Sequence, residues 1–106
     1  MLALPGPAAA QGPAALNDYP TLARADYIFG CLAVNGQTRD SMTRCACSID
    51  TIASILPYDD YVAGETVLSL RQAGGERTAI FRGTAPATEA VANLRRAQAE
   101  AEILCF

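Results

Sequence analysis

The sequence contains no histidine, tryptophan or lysine, and all eight of its basic residues are arginine. Without histidine, the chain lacks the most common general base and the most common metal ligand. The net charge is −3, and Arg95-Arg96 is the only pair of adjacent basic residues, which argues against nucleic-acid binding. No apolar run approaches the roughly 18 residues of a membrane span. Haem-attachment, P-loop and nucleophile-elbow motifs are also missing, so we expect no enzyme, cofactor, metal ligand or catalytic residue.

The first residues differ in composition from the rest of the chain. Residues 1–10 are uncharged and end in Ala8-Ala9-Ala10, a small-residue run of the kind that precedes signal-peptidase cleavage. We interpret residues 1–18 as a signal-peptide remnant with cleavage before Gln11, followed by a flexible leader. A disordered leader alone is the alternative. Residues 19–106 are then a single domain of a periplasmic or secreted protein.

Apolar periodicity predicts an all-α fold, a small bundle of about four helices. The helices are expected at about Pro20–Val34, from Thr38 or Asp40 to Pro57, at about Asp60–Ala73, and from Thr84 to the C-terminus. The apolar residues at helical spacing are Leu22, Ala25, Phe29 and Leu32 in the first helix; Met42, Cys45, Ile49, Ile52 and Leu56 in the second; Val62, Val67 and Leu70 in the third; and Ala87, Ala90, Leu94, Ala97, Ala101 and Leu104 in the last. The patch Ala79-Ile80-Phe81 is expected to plug one end of the core.

Four cysteines in a short, apparently exported chain predict two disulfides. Cys31 and Cys45 lie almost equally far from a turn centred near Gln37, so they face each other across an antiparallel hairpin. Cys47 lies about 200° further around its helix than Cys45 and points to another neighbour. We therefore favour Cys31–Cys45 with Cys47–Cys105, and Cys31–Cys47 with Cys45–Cys105 stays as the alternative.

Two other uses of the cysteines are alternative hypotheses. Four thiolates could bind zinc, but the paired C-x2-C knuckles typical of zinc sites are missing. Cys45-Ala46-Cys47 could form a redox or copper site, although redox pairs usually lie at a helix N-terminus.

Several motifs together resemble a group of small secreted proteobacterial four-cysteine helical proteins. These motifs are Ala25-Asp26-Tyr27, Cys31, the run from Cys45 to Asp50, the run from Tyr58 to Tyr61, the run from Arg95 to Glu100, and Cys105-Phe106. The resemblance covers residues 19–106 and implies an exported, helical, disulfide-bonded protein. In outline the chain is also similar to periplasmic acid-stress chaperones and immunity proteins, but no site residue carries over from them.

Tyr58-Asp59-Asp60-Tyr61 is the most distinctive polar motif. Its aspartates can cap a helix that follows Pro57. Alternatively, two exposed tyrosines and two carboxylates form a patch that binds a protein partner. We name all four residues as candidate partner-binding residues.

Two further features have structural and functional explanations. Arg71, Arg77 and Arg82 form either a solvated face or a contact with an anion or an acidic partner. Gly30 and Gly64 lie within predicted helices, where close helix crossing would explain them.

The sequence therefore predicts an exported accessory protein that binds a protein partner and is not an enzyme. A periplasmic stress or holdase-type chaperone is the alternative, followed by a thiol redox or metal-binding protein. Nucleic-acid binding and a membrane span are not expected.

Overall fold

A computed structural model describes residues 16–73 and 84–106, and this part of the chain is all-α. The helices are α1 (Thr21–Asn35), α2 (Arg39–Ile55), α3 (Tyr58–Ala73) and α4 (Ala85–Cys105). The predicted fold class is confirmed, because four helices and no strand occur in this part of the chain. The predicted plug at residues 79–81 and most of the predicted leader lie outside the described residues.

The helix ends follow the local signals in the sequence. Thr38 begins α2, and its side-chain oxygen accepts a 3.0 Å hydrogen bond from the backbone N–H of Ser41. Thr84 begins α4 in the same way, because its side-chain oxygen accepts a 3.3 Å hydrogen bond from the backbone N–H of Ala87. Gly36 follows α1 with φ of 100°, a conformation that glycine adopts without a Cβ clash. The predicted helix starts at Thr38 and Thr84 are confirmed.

The core lies where α2, α3 and α4 meet. Its most deeply buried large side chains are Ile49 and Ile52 of α2 and Leu94 of α4. Ala97 and Ala101 are buried in the same cluster, and their small side chains let α4 approach its neighbours closely. The main helix contacts are those of α4 with α3, α4 with α2, and α2 with α1.

Both favoured disulfides are present. Cys31 of α1 is bonded to Cys45 of α2, with a Cα–Cα distance of 5.9 Å. Cys47 of α2 is bonded to Cys105 of α4, with a Cα–Cα distance of 5.7 Å. The two bonds join α2 to two different neighbours, as the 200° offset between Cys45 and Cys47 predicts.

The apolar residues of α1 are mostly exposed. No residue of α1 is buried, and Leu22 and Phe29 are 80% and 74% exposed. These side chains lie seven residues apart on one face of the helix, and α2, the main neighbour of α1, packs against a different face. Helical periodicity therefore located an apolar face correctly but did not show that the described chain leaves it uncovered.

The apolar faces of α2 and α4 each extend beyond the core by one exposed residue. Met42 and Leu104 continue the periodicity of α2 and α4, but they are 44% and 63% exposed. Met42 lies in the first turn of α2 and Leu104 in the last turn of α4. The helical periodicity predicted the buried residues Cys45, Ile49 and Ile52 correctly. It was wrong at Met42 and Leu104, which are exposed.

The contacts of the domain begin before residue 19. The backbone N–H of Asn17 donates a 3.0 Å hydrogen bond to the carbonyl oxygen of Ala53, which ties this residue to the end of α2. Tyr19 is buried, and its hydroxyl donates to the carbonyl oxygen of Leu56 at 2.7 Å. Asn17 thus lies against the domain, although the sequence assigned it to the leader.

None of the described helices combines the length and the apolar composition needed to cross a membrane.

Candidate functional site

An open groove lies between α1 and α3, and we call it the α1–α3 groove. It has two sections. The apolar section, of about 660 Å³, lies between the N-terminal half of α1 and α3. The acidic section, of about 460 Å³, lies between the rest of α1, α3 and the C-terminal half of α4. Asp26, Tyr61 and Glu65 line both sections, so the groove is continuous.

The apolar section has an exposed apolar residue on each side. Leu22 of α1 lines one side, and Val62 of α3, which is 40% exposed, lines the other. Leu70 and Tyr58 extend the α3 side. The third-helix prediction treated Val62 as an apolar contact of the core, but the structure places it at the groove, where α1 does not cover it. Apolar side chains facing each other across an open groove are typical of surfaces that receive another molecule.

The acidic section brings together carboxylates from three helices. Asp26 of α1, Glu65 of α3 and Glu102 of α4 line it, and no arginine lines either section. Among the described residues, the ion pairs are Arg24–Asp50 and Arg44–Asp40, both outside the groove. The three groove carboxylates therefore have no ion-pair partner in the described part of the chain, and the groove attracts positive charge.

Burial changes the acidity of Glu65. Its carboxyl group is partly removed from water, which raises its pKa, and the nearby carboxylate of Asp26 raises the pKa further. Arg95 of α4 opposes this effect. Glu65 is thus a carboxylate whose charge the surrounding protein does not fully compensate.

Hydroxyl groups line the bottom of the acidic section. Ser48 of α2 is buried, and its hydroxyl lies 2.8 Å from the hydroxyl of Tyr27 on α1. This hydrogen bond and the Cys31–Cys45 disulfide hold α1 against α2. Helix α1, which forms one wall of the groove, is therefore attached to α2 at two positions about one helical turn apart, Tyr27 and Cys31.

The structure corrects the predicted exposure of Tyr61. Helix α3 begins at Tyr58, two residues before the predicted start, because the carbonyl oxygen of Pro57 accepts hydrogen bonds from the N–H groups of Asp60 and Tyr61. Tyr61 is only 8% exposed and belongs to the core cluster, while Tyr58 is half-buried against that cluster. Their rings lie 5.0 and 5.1 Å from the ring of Tyr19.

The aspartates of this motif remain on the surface. Asp59 and Asp60 are exposed in the first turn of α3, where the helix dipole favours negative charge. Tyr58–Tyr61 is therefore a helix start packed on an aromatic cluster, and only its tyrosines reach the α1–α3 groove. Partner binding by the four residues stays a prediction.

The glycines and arginines that the sequence analysis singled out lie in different environments. Gly64 is buried against α4, as close helix crossing predicts, but no atom lies within 4 Å of a Cβ placed on Gly30, so that explanation was wrong for Gly30. Arg71 is half-buried, while Arg77 and Arg82 lie outside the described residues.

All four cysteines are in disulfides, so in this state none offers a thiolate to zinc or copper. In the described ranges, no group of histidine, cysteine or acidic side chains is arranged to hold a metal ion.

Sequence reasoning missed the groove, because its acidic residues belong to three helices. Asp26, Glu65 and Glu102 share no motif or spacing, and only the packing of the helices brings them to one section. Asp26 within the Ala25-Asp26-Tyr27 motif is the one groove carboxylate that the sequence had marked.

Comparisons with known proteins leave the family open. The chain matches no protein-family model, no curated protein sequence and no solved structure. The resemblance to secreted four-cysteine proteins therefore stays a prediction.

Proposed function

We propose that this chain is an exported accessory protein that binds a segment of a protein partner in the α1–α3 groove. The observation that carries the proposal is the exposure of α1. This helix buries no residue of its own and presents Leu22 and Phe29 to solvent beside an open groove. A soluble domain that uses part of its apolar surface for binding has this character.

The disulfides support export. Disulfides persist in oxidising compartments such as the bacterial periplasm and are rare in the cytosol. Both cysteine pairs of this chain are bonded. Fractionating the native host and trapping thiols at lysis tests this part of the proposal. We expect the protein in the periplasmic or extracellular fraction without alkylatable thiols, and a cytosolic protein with four free thiols would contradict export.

Site-specific photocrosslinking in the native host tests the groove. A photoreactive residue is placed at Leu22 or at Val62, on the two sides of the apolar section. The control position is Ile103, which is 76% exposed on α4 and lines neither section of the groove. We expect one protein to be crosslinked from both groove positions and not from Ile103.

The crosslinked protein is then purified and its affinity measured with unmodified chain. Leu22→Glu is expected to weaken binding about tenfold, because it places a charge in an apolar contact. Ile103→Glu, the matched change outside the groove, is expected to leave the affinity unchanged. Equal crosslinking from all three positions, or equal effects of the two substitutions, would contradict the proposal.

The exposed apolar surface of α1 also favours a second candidate, a holdase-type chaperone for unfolded proteins. Such a protein suppresses aggregation of many clients and loosens its own structure under stress. Light scattering of unrelated proteins at acid pH, with and without the chain, distinguishes the two functions. Broad suppression that Leu22→Glu abolishes would favour the chaperone, whereas binding to one partner at neutral pH would favour the accessory protein.

A further inference from the structure

The hydroxyl of Tyr61 is an unpaired hydrogen-bonding group at the α1–α3 groove. The hydroxyls of Tyr19 and Tyr27 are engaged, Tyr19 with the carbonyl oxygen of Leu56 and Tyr27 with Ser48. Tyr61 is 8% exposed and lines both sections of the groove, yet its hydroxyl has no hydrogen-bond partner among residues 16–73 and 84–106. Among the described residues this oxygen is not one of the fully buried unpaired atoms, so it is accessible from the groove and available to a bound molecule.

Two carboxylates lie beside this hydroxyl in the shared part of the groove. Asp26 belongs to α1 and Glu65 to α3, so they approach the groove from opposite sides. Neither has a hydrogen-bond or ion-pair partner within the described ranges. Two acceptor groups and a hydroxyl, with no arginine lining the groove, match a cation that donates several hydrogen bonds.

The chemistry around these groups indicates what carries the cation. On one side the apolar section presents Leu22 and Val62, and on the other side lies the additional carboxylate of Glu102. A free ammonium ion or a small polyamine would leave the apolar section uncovered. An amphipathic segment of a protein would fill both sections, with apolar residues against Leu22 and Val62 and a guanidinium group between the carboxylates.

We propose that the α1–α3 groove binds a basic amphipathic helix of a partner protein and holds one of its arginine side chains between Asp26, Glu65 and the Tyr61 hydroxyl. This inference rests on the proposed function, because it names the kind of segment that the groove receives. The carboxylates select the positive charge, and the apolar section supplies contact area.

Three synthetic peptides test the proposal. They share an amphipathic helical pattern of leucine and alanine and differ at the polar positions, which are arginine, citrulline or glutamate. Citrulline keeps the shape of arginine without its charge. Fluorescence anisotropy with the oxidised full chain is expected to show the arginine peptide binding about tenfold more tightly than the citrulline peptide. The glutamate peptide is expected not to bind.

Protein variants locate the binding. Asp26→Asn with Glu65→Gln should weaken the arginine peptide at least about tenfold and leave the citrulline peptide unchanged. Asp59→Asn with Glu100→Gln is the matched control, because it removes the same two charges from exposed positions outside the groove. Tyr61→Phe keeps the ring and removes the hydroxyl, so it should weaken the arginine peptide severalfold with an unchanged circular dichroism spectrum.

The outcomes separate this inference from the proposed function. Equal binding of the arginine and citrulline peptides that Leu22→Glu abolishes would overturn the arginine site and leave a protein-binding groove. Binding that Leu22→Glu does not affect, or binding of none of the peptides, would overturn this inference, whereas the proposed function is decided separately by crosslinking from Leu22 and Val62. A concentration-dependent dimer that Leu22→Glu dissociates would show that a second copy of the chain occupies the groove, and this result would also overturn the proposal.

Discussion

Gly64 of α3 lies against Leu94 of α4 so closely that a Cβ placed on Gly64 would be 2.8 Å from the Cβ of Leu94. The same Cβ would lie 3.0 Å from the backbone oxygen of Ala90. Both atoms are near the axis of α4 and cannot rotate away as the end of a long side chain could. Glycine at this position therefore sets the distance between α3 and α4.

We predict that Gly64→Ala lowers the free energy of unfolding by about 1–2 kcal/mol. The clash with Leu94 and Ala90 costs about 1–3 kcal/mol, and the better helix propensity of alanine offsets up to about 1 kcal/mol of that loss. Gly30→Ala is the matched control, because nothing lies within 4 Å of its added Cβ. It should stabilise the protein by about 0.5–1 kcal/mol. Urea unfolding of the oxidised proteins measures both changes, and destabilisation of equal size would contradict the predicted packing.

The difference between buried and exposed apolar residues shows what helical periodicity can predict. Periodicity identifies the face of a helix that is apolar, and it correctly placed Ile49, Ile52 and Leu94 in the core. It contains no information about whether another helix covers that face. Leu22 and Phe29 fit the helical spacing as well as the core residues do, but α1 packs mainly on α2 through a different face.

The cysteine pairing could be predicted because it depends on local geometry. A hairpin with a turn near Gln37 fixes the relative heights of Cys31 and Cys45, whatever the rest of the fold does. The groove depends instead on how three helices are placed in space. Asp26, Glu65 and Glu102 are far apart in the sequence, and the tyrosine motif gave no sign that Tyr61 packs inward.

The disulfides are predicted to stabilise different parts of the molecule. Cys31–Cys45 is the covalent link of α1, a helix without a buried residue. Replacing both cysteines with alanine should release α1, with loss of amide-exchange protection over residues 21–35 and much less over 85–105. The loop-entropy model assigns about 3 kcal/mol to this closure and about 4 kcal/mol to the longer one.

The Cys47–Cys105 pair provides the comparison. It joins α2 to α4, the two helices that carry the most deeply buried large side chains, so its removal should lower protection in all four helices together. Hydrogen exchange followed by mass spectrometry separates the local from the global effect. The same exchange pattern in both double variants would show that α1 does not unfold separately.

The tyrosines of the Tyr58–Tyr61 motif are predicted to differ in their effect on folding. Tyr61→Ser should cost about 3 kcal/mol or more, because it removes a buried ring that contacts Tyr19. Tyr58→Ser should cost less, because Tyr58 is only half-buried. Thermal melting of the oxidised variants measures the difference. The sequence analysis considered both tyrosines as exposed residues of a binding patch, and equal melting of wild type and the double variant would restore that interpretation.

The last prediction concerns pH and the carboxyl group of Glu65. In the folded protein its pKa lies above the ordinary value of 4.5, first because of burial and second because of Asp26, while Arg95 acts in the opposite direction. Glu102 lines the same section of the groove from α4. Because the pKa is raised on folding, the folded protein holds this proton more tightly than the unfolded chain does. Ionisation of Glu65 at neutral pH therefore lowers the free energy of unfolding. This destabilisation fades as the pH falls through the folded-state pKa toward the unfolded value.

Glu65→Gln should therefore raise the melting temperature at pH 7 and change it little near pH 4, where Glu65 of the wild type is largely protonated. Glu100→Gln, an exposed change on α4 outside the groove, controls for net charge and should have little effect at either pH. Because burial is the largest cause of the raised pKa, most of the gain should persist when Asp26→Asn is already present. A gain that disappears in that background would assign the effect to charge repulsion instead. Glu65→Gln should therefore stabilise the free protein and also weaken binding of the arginine peptide. Both effects have one cause, because the carboxylate that opposes folding is the one available to a cationic ligand.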